Sequence, residues 1–327
     1  MGDVASLVSI PEAPVPDHGK AEWFSGADGV TLRAALFQPE GNPRGSVVLS
    51  PGRSEPIEKY FEVIEDLLTR GFVVLVHDWR GQGLSARALP DRLKGHARGF
   101  KTFLADHGAL LDAFEARLPK PWIAMAHSMG GCLIMLALAH GETRFSAAVL
   151  SAPMLGLNTA GVPPWIAAPL SWTLSRAGLS GAYVQGGHYD PLGQTFVGDA
   201  LTHDEARYDR YMAQLRADPR IALGGMTWGW ADFALSACAW LRGAGRVERV
   251  SIPVTIVAAE LDNRVLNADE QSIAGRLPKG RYVEVPGAFH EILIETDPRR
   301  EVFWRAFDET VDQVAPREPL ISPNASD

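Results

Sequence analysis

Short apolar runs of strand length alternate with longer amphipathic stretches along most of the chain. Unbroken apolar runs of this length are typical of strands in a parallel sheet covered on both faces. The predicted strands are Thr31–Phe37, Ser46–Ser50, Phe72–Val76, Trp122–Met125, Ala147–Leu150, Val254–Ala258 and Tyr282–Val285. The predicted helices are Glu55–Arg70, Phe100–Leu118, Cys132–Ala139, Asp269–Leu277 and Arg299–Val314. The pattern therefore predicts an α/β fold with a mostly parallel central sheet flanked by helices.

The first two predicted strands are separated by a turn-rich segment, residues 38–43, with two prolines and a glycine. Such a short connection is typical of neighbouring antiparallel strands. We therefore expect Thr31–Phe37 and Ser46–Ser50 to open the fold as a hairpin or meander.

The alternation stops between about Leu155 and Arg246. This segment holds five of the nine tryptophans, namely Trp165, Trp172, Trp228, Trp230 and Trp240. It is predicted to be an inserted, mostly helical cap with an apolar inner surface, although its aromatic residues could equally fill a small core of their own. The predicted organisation is an extended lead-in (1–20), a core (21–154), the cap (155–246), the rest of the core (247–314) and a mobile tail (315–327).

Composition excludes several classes of protein. A chain of 327 residues with 46% hydrophobic content can bury a large core. The net charge of -8 argues against a nucleic-acid partner, which a basic patch would attract. No cluster of His and Cys has the spacing of metal ligands, so we expect no metal and no cofactor. Two cysteines and the lack of a signal peptide predict a cytoplasmic protein.

The candidate nucleophile is Ser128, at the junction of a predicted strand and a predicted helix. Residues 126–130 read Ala-His-Ser-Met-Gly, which is the nucleophile-elbow pattern Gly-x-Ser-x-Gly with Ala126 in the first position. The turn strains the serine backbone and requires small neighbours, and both Ala126 and Gly130 are small. The helix that follows presents its N-terminus to the negative charge that develops during acyl transfer.

A serine nucleophile needs a base and a group that orients the base. Asp262 and His290 follow the last two predicted strands, so the order is serine, acid, histidine, as in the α/β-hydrolase fold. Glu260 and Asp269 are rival acids, but the first loop turn after a strand reaches a histidine at the same sheet edge best. We therefore assign Ser128, Asp262 and His290 as the catalytic residues.

Two backbone amides are candidates for stabilising the oxyanion. One is the N–H of Met129, which follows the nucleophile, and the other is the N–H of Arg53 in the loop after an early strand. A second loop, residues 78–85, contains two glycines, but its spacing matches neither a P-loop nor a dinucleotide fingerprint. We expect Asp78 and Arg80 to fix the geometry of that loop.

Five motifs in the same order resemble the lysophospholipase and monoacylglycerol-lipase branch of the serine α/β-hydrolases. They lie at residues 50–60, 78–85, 126–131, 151–154 and 287–293, and the resemblance spans Thr31 to Val314. It implies an α/β-hydrolase fold, the triad named above, and a cap that shapes an acyl pocket. This sequence departs from the branch at Pro51, where many of these lipases have histidine, and at Ala126.

The resemblance and the apolar cap together predict hydrolysis of fatty acyl esters of the lysophospholipid or monoacylglycerol type. We expect Trp228, Trp230 and Met154 to contact the substrate. A small-ester carboxylesterase or acyltransferase would use the same triad, and a non-catalytic binding protein on this fold is a third alternative. No obligate protein partner is implied. The apolar segment Pro163–Leu170 suggests transient contact with a membrane surface, at the inner face if the protein is cytoplasmic.

Overall fold

The computed structural model describes residues 2–197 and 201–317. Eight strands form one sheet in the order β1-β2-β4-β3-β5-β6-β7-β8. Their bounds are β1 Lys20–Ser25, β2 Thr31–Phe37, β3 Gly45–Ser50, β4 Phe72–His77, β5 Trp122–His127, β6 Phe145–Ser151, β7 Val254–Ala259 and β8 Gly280–Val285. The strands from β3 to β8 are parallel, whereas β1 and β2 are antiparallel to their neighbours. The predicted α/β-hydrolase fold with a mostly parallel sheet is confirmed.

Eight α-helices accompany the sheet within the described residues. They are α1 Phe61–Thr69, α2 Lys101–Phe114, α3 Ser128–Ala139, α4 Pro164–Leu174, α5 Glu205–Ala217, α6 Trp228–Arg242, α7 Asn267–Arg276 and α8 Asp297–Val311. Short 3-10 turns cover Ala27–Gly29, Ile57–Tyr60, Glu115–Arg117, Pro219–Ile221, Val247–Arg249 and Ile292–Ile294, and a π turn covers Ser175–Leu179. In the described chain, no helix has both the length and the apolar character needed to cross a bilayer.

Two hydrophobic layers cover the two faces of the sheet. One layer packs α2, α3 and α6 against alternate residues of the strands, such as Val48, Ala124 and Leu150. The other packs α1 and α8 against the opposite residues of those strands, such as Val47 and Met125. Because both faces are covered, the central strands are apolar at most positions on both faces, as parallel strands are. Helix α3 follows the same rule, since residues 129–139 are all buried.

The expected pairing of the first two predicted strands is wrong. β2 and β3 are not neighbours, because β4 lies between them and pairs with both. The opening hairpin is instead formed by β1, which was not predicted, and β2. Strand β1 has four partly or fully exposed positions among its six residues, so it lacks the apolar run that identifies the buried strands.

The segment between β6 and β7 contains α4, α5 and α6 and no strand among its described residues. Its tryptophans do not share one environment. Trp230 is buried, whereas Trp165 is 76% exposed and Trp172 is 52% exposed. The boundaries of the lead-in, core and cap stay predictions, and most of the predicted tail, from residue 318 onward, lies outside the described residues.

A buried ion cluster fixes the loop after β4. Asp78 accepts hydrogen bonds from Arg33 Nε at 2.7 Å, from the N–H of Leu84 at 2.8 Å and from the N–H of Ile57 at 3.1 Å. Arg33 also makes a paired bond to both carboxylate oxygens of Glu58, each at 2.8 Å. Burial opposes the charge of Arg33, but the two carboxylates outweigh it and raise the pKa of the guanidinium.

Replacing Asp78 should therefore destabilise the protein strongly. We expect Asp78→Ala to lower the free energy of unfolding by about 3–5 kcal/mol, because it leaves the buried cation of Arg33 with only one carboxylate partner, Glu58. Urea unfolding followed by circular dichroism measures this loss. Asp112→Ala is the control, since Asp112 pairs with Arg144 but is 74% exposed at its side chain, and its loss should be about 1 kcal/mol or less. Equal losses in the two variants would contradict the assignment.

Candidate active site

Strand β5 turns directly into helix α3 at Ser128. The backbone of Ser128 has a φ of 49°, in the left-handed region that residues other than glycine rarely adopt. Gly130 faces the carbonyl oxygens of Ser50 and Pro51 so closely that a Cβ atom would collide with them. The local sequence therefore forms the strained turn that the elbow pattern predicts, and the turn carries the Ser128 side chain out of the sheet.

The structure brings Ser128, Asp262 and His290 together at the carboxyl edge of the sheet. His290 Nε2 lies 2.9 Å from Ser128 Oγ, and His290 Nδ1 lies 2.6 Å from Asp262 Oδ2. His290 is in the loop after β8 and is only 5% exposed. With the Nδ1 proton donated to Asp262, Nε2 is free to accept the serine proton.

Asp262 is held as a carboxylate. Its Oδ1 accepts hydrogen bonds from the N–H groups of Arg264 at 2.7 Å and Val265 at 2.9 Å. Burial alone would raise the pKa of Asp262, but the hydrogen bond and charge of His290, together with these amides, lower it. Asp262 therefore stays ionised and can stabilise an imidazolium at His290.

The two rival acids have other partners. Glu260 accepts the N–H of Gly287 at 2.6 Å, and Asp269 pairs with Arg242 at 3.1 Å. Neither carboxylate bonds to His290, whereas Asp262 does. The geometry therefore agrees with Asp262 as the acid of the triad.

The two candidate oxyanion donors are available. The N–H of Gly52 is bonded to Glu55, and the N–H of Ser54 is bonded to Gln82 at 2.7 Å. Between them, the N–H of Arg53 has no acceptor within residues 2–197 and 201–317. Met129 is in the first turn of α3, where amides have no acceptor within the helix. Both donors are therefore free to bind an oxyanion.

The three residues predicted to contact the substrate differ in their burial and in their contacts. Met154 and Trp230 belong to the same buried cluster as Met129, and the N–H of Met154 donates to the carbonyl of Ser128 at 2.9 Å. Trp228 is half-buried at the start of α6 and is not part of that cluster. Met154 thus lies beside the elbow, and Trp230 lies beside Arg53, whose guanidinium is 5.4 Å from the centre of the Trp230 ring.

Sequence reasoning missed a group of charged side chains behind the triad. Glu55, His127 and Glu291 have potential ligand atoms within 4.8 Å of one another, the arrangement of a metal site. Lys59 Nζ, however, already lies 2.7 Å from Glu55 and 2.6 Å from Glu291. An ammonium group therefore supplies the cation that two facing carboxylates need. The sequence signal was present but weak, since Glu55, Lys59, His127 and Glu291 each fall within one of the five motifs.

Comparison with known proteins agrees with this fold. The family model described as serine aminopeptidase, S33, matches residues 41–297. Lysophospholipase L2 of Escherichia coli strain K12 is 34% identical over 296 residues, which cover 86% of this chain and 84% of that protein. The monoacylglycerol lipase of Mycolicibacterium smegmatis is 26% identical over 284 residues, or 84% of this chain and 91% of that protein.

Among solved structures, a soluble variant of the monoglyceride lipase of Saccharomyces cerevisiae in complex with a substrate analog superposes with a TM-score of 0.72. The superposition covers 94% of this chain and 99% of that chain at 20% identity, so it is evidence for the fold alone. The length and identity of the matches decide the family. The chain belongs to the S33 serine aminopeptidase family of α/β-hydrolases, in the branch that contains lysophospholipase L2 and the monoacylglycerol lipases.

Proposed function

We propose that this protein hydrolyses carboxylic esters of fatty acyl lipids through an acyl-enzyme formed on Ser128. The observation that carries the proposal is the chain of contacts from Ser128 Oγ through His290 to Asp262, at 2.9 and 2.6 Å. The relatives named lysophospholipase L2 and monoacylglycerol lipase support an acyl lipid as the substrate.

The proposed reaction has two steps. Ser128 Oγ attacks the acyl carbon while His290 Nε2 takes the serine proton, and the charge on the carbonyl oxygen is stabilised by the N–H groups of Met129 and Arg53. The C–O bond to the alcohol then breaks as His290 gives the proton to the leaving oxygen. A water molecule, deprotonated by His290, attacks the acyl-enzyme and releases the fatty acid.

The surroundings of the Arg53 side chain favour a substrate whose head group contains a phosphate. Its guanidinium bonds to the carbonyl of Gly224 and to Ser54 Oγ, and it lies 5.4 Å from the centre of the Trp230 ring. No carboxylate of the described residues lies within 4 Å of it, and its Nε is buried without a partner. Burial lowers the pKa of Arg53, since the hydrogen bond and charge of Tyr189 offset it only in part and Arg264 adds repulsion. An anionic head group would compensate this unpaired positive charge.

An exposed apolar surface of α4 supports transient contact with a membrane. Residues Trp165 and Trp172 are separated by seven positions, so they lie on the same side of the helix. Ile166 and Leu170 are 39% and 44% exposed beside them. Helix α4 packs against α6, and Ser171, on the side away from these residues, is buried. Clustered exposed tryptophan and aliphatic side chains are typical of surfaces that enter the lipid interface.

Removing the proposed base should abolish turnover without unfolding the protein. We expect His290→Ala to lower kcat by about 1000-fold or more, because Ser128 then lacks a proton acceptor. Initial rates on a p-nitrophenyl ester measure the effect, with circular dichroism to check the fold. His140→Ala, at an exposed histidine that ends α3, is the matched control and should keep its activity. A nearly normal kcat in His290→Ala would refute the assignment.

The substrate class is tested with matched esters. We expect p-nitrophenyl esters to be cleaved faster as the acyl chain lengthens, and 1-oleoyl-lysophosphatidylcholine to be cleaved with a higher kcat/KM than 1-oleoylglycerol. In Arg53→Gln the ratio of these two kcat/KM values should fall at least about tenfold, because a desolvated charged hydrogen bond is worth about 1.5–3 kcal/mol. A preference for acetyl esters would favour the small-ester alternative, and an unchanged ratio would contradict the role of Arg53.

The membrane proposal is tested by vesicle flotation. The double variant Trp165→Ser, Trp172→Ser should bind phosphatidylcholine vesicles at least about tenfold more weakly, since burying one large apolar side chain contributes about 1.5–3 kcal/mol. Val4→Ser is the control, because Val4 is 88% exposed and lies outside α4. Equal binding by the wild type, the double variant and the control would contradict the proposal.

A further inference from the structure

A closed cluster of charged side chains lies directly behind Ser128 and His290. Its members are Glu55, Lys59, Tyr60, His127 and Glu291. The side chains of Glu55 and His127 are each 2% exposed, Lys59 is 4% exposed and Glu291 is 11% exposed. Buried charges persist only when each finds a partner, so the contacts within the cluster define its charge state.

Glu55 joins the nucleophile elbow to the loop after β3 that carries Arg53, which is called the oxyanion loop below. Its carboxylate accepts the N–H of Gly52, the residue before Arg53. The same carboxylate lies 3.0 Å from Nδ1 of His127, the residue before Ser128. It also accepts bonds from Lys59 and from the hydroxyl of Tyr60. One carboxylate thus holds the backbone on both sides of the proposed reaction centre.

His127 joins the elbow to the loop that carries the base. Its Nε2 lies 3.2 Å from the backbone carbonyl oxygen of His290, and the two rings are 4.9 Å apart between centroids. A carbonyl oxygen and a carboxylate can only accept hydrogen bonds. Both ring nitrogens of His127 therefore have to donate, which requires the doubly protonated, cationic ring.

The charge balance of the cluster agrees with a cationic His127. With an imidazolium, Lys59 and His127 carry two positive charges against the two negative charges of Glu55 and Glu291. Burial disfavours the cationic ring, but the carboxylates of Glu55 and Glu291 outweigh it and raise the pKa of His127 to about 9. Burial would also raise the pKa of Glu55, yet His127 and Lys59 hold it well below its usual value.

We propose that Glu55 and His127 are positioning residues for the hydrolysis proposed above: a cationic His127, paired with Glu55, clamps the His290 loop to the elbow while Glu55 clamps the oxyanion loop. Within residues 2–197 and 201–317, neither side chain is hydrogen-bonded to Ser128 Oγ or to the Nε2 atom of His290. Their effect is on the distance between base, nucleophile and oxyanion donors. A misplacement of about 1 Å at such a centre can cost about 100-fold in rate.

The proposal predicts a specific dependence on pH. The groups that face the ring or its partners are Glu55, Lys59, Tyr60, Tyr211, Glu291 and His290. Because the pKa of His127 is raised, the clamp is complete below about pH 6.5, its ordinary value, and is lost as the pH rises through about 9. We therefore expect kcat of the wild type to fall at alkaline pH as His127 loses its proton.

The charge state is tested by NMR of protein labelled with ¹⁵N-histidine. At pH 7.5, His127 of the wild type should show protons on both ring nitrogens, with its signals assigned by their absence in His127→Asn. In Glu55→Gln, which keeps the shape but removes the carboxylate charge, one of these protons should be lost. A wild-type spectrum with a single ring proton on His127 would overturn the proposal, whether or not Glu55→Gln folds.

The positioning role is tested by the kinetics of Glu55→Gln on the best ester. We expect kcat to fall by about 10- to 100-fold with KM within about threefold, since the groups that move do not hold the substrate. The alkaline limb of the kcat profile should shift toward neutral pH. Glu58→Gln is the control for a lost buried charge, because Glu58 pairs with Arg33 rather than with His127; it should lower the melting temperature but keep the kcat profile.

Different failures have different meanings. A Glu55→Gln variant with a lower melting temperature but unchanged kcat and pH profile would show a merely structural role and overturn the proposal. If the wild type hydrolyses none of the esters, the proposed function itself fails. The NMR spectrum would then still decide the charge state of His127.

Discussion

The proposed site depends on one backbone constraint: β5 has to end and α3 has to begin at Ser128, with that residue in a left-handed conformation. A φ of 49° is unfavourable for serine, so the surroundings must enforce it. The buried strand before it and the fully buried helix after it do so, because neither can shift without opening the core on one face of the sheet. Gly130, packed against the carbonyls of β3 and its loop, allows the helix to start that close.

The parallel sheet then supplies the other groups at the same edge. β5, β6, β7 and β8 are consecutive neighbours and run in the same direction, so the loops after them meet at one edge. The loop after β7 carries Asp262 and the loop after β8 carries His290. Strand geometry alone does not bring the side chains of these loops to hydrogen-bonding distance from one another. The cluster around Glu55 and His127 provides that second level of control, because it bonds to the elbow, the oxyanion loop and the His290 loop together.

The apolar pattern predicted the buried elements well and the partly exposed ones poorly. Strands from β2 onward and most of the helices were predicted within a few residues, since complete burial leaves an unbroken apolar run. β1 escaped because only part of one face is buried, and the order of β2, β3 and β4 was wrong because a turn-rich connection does not specify which strands pair. The mixed exposure of the cap tryptophans also has no signature in the sequence, since Trp165 and Trp230 differ only in what packs against them.

The site residues show the same division. Ser128, Asp262 and His290 could be selected because each follows a predicted strand, in an order that this fold uses, and the structure brings them into contact. Their catalytic roles remain our proposal. Glu55, His127 and Glu291 were not selected, because their places in the five motifs are a weak signal and do not show that the three side chains are buried together. Only their distances in the folded protein reveal the cluster.

The most direct test of this account is to identify the residue that reacts. The wild-type protein is treated with a fluorophosphonate, digested, and analysed by mass spectrometry to locate the adduct. The account predicts a single phosphonyl adduct on Ser128, formed at a rate that falls when an acyl lipid substrate competes. An adduct on another residue, or continued ester turnover with Ser128 unmodified, would contradict it.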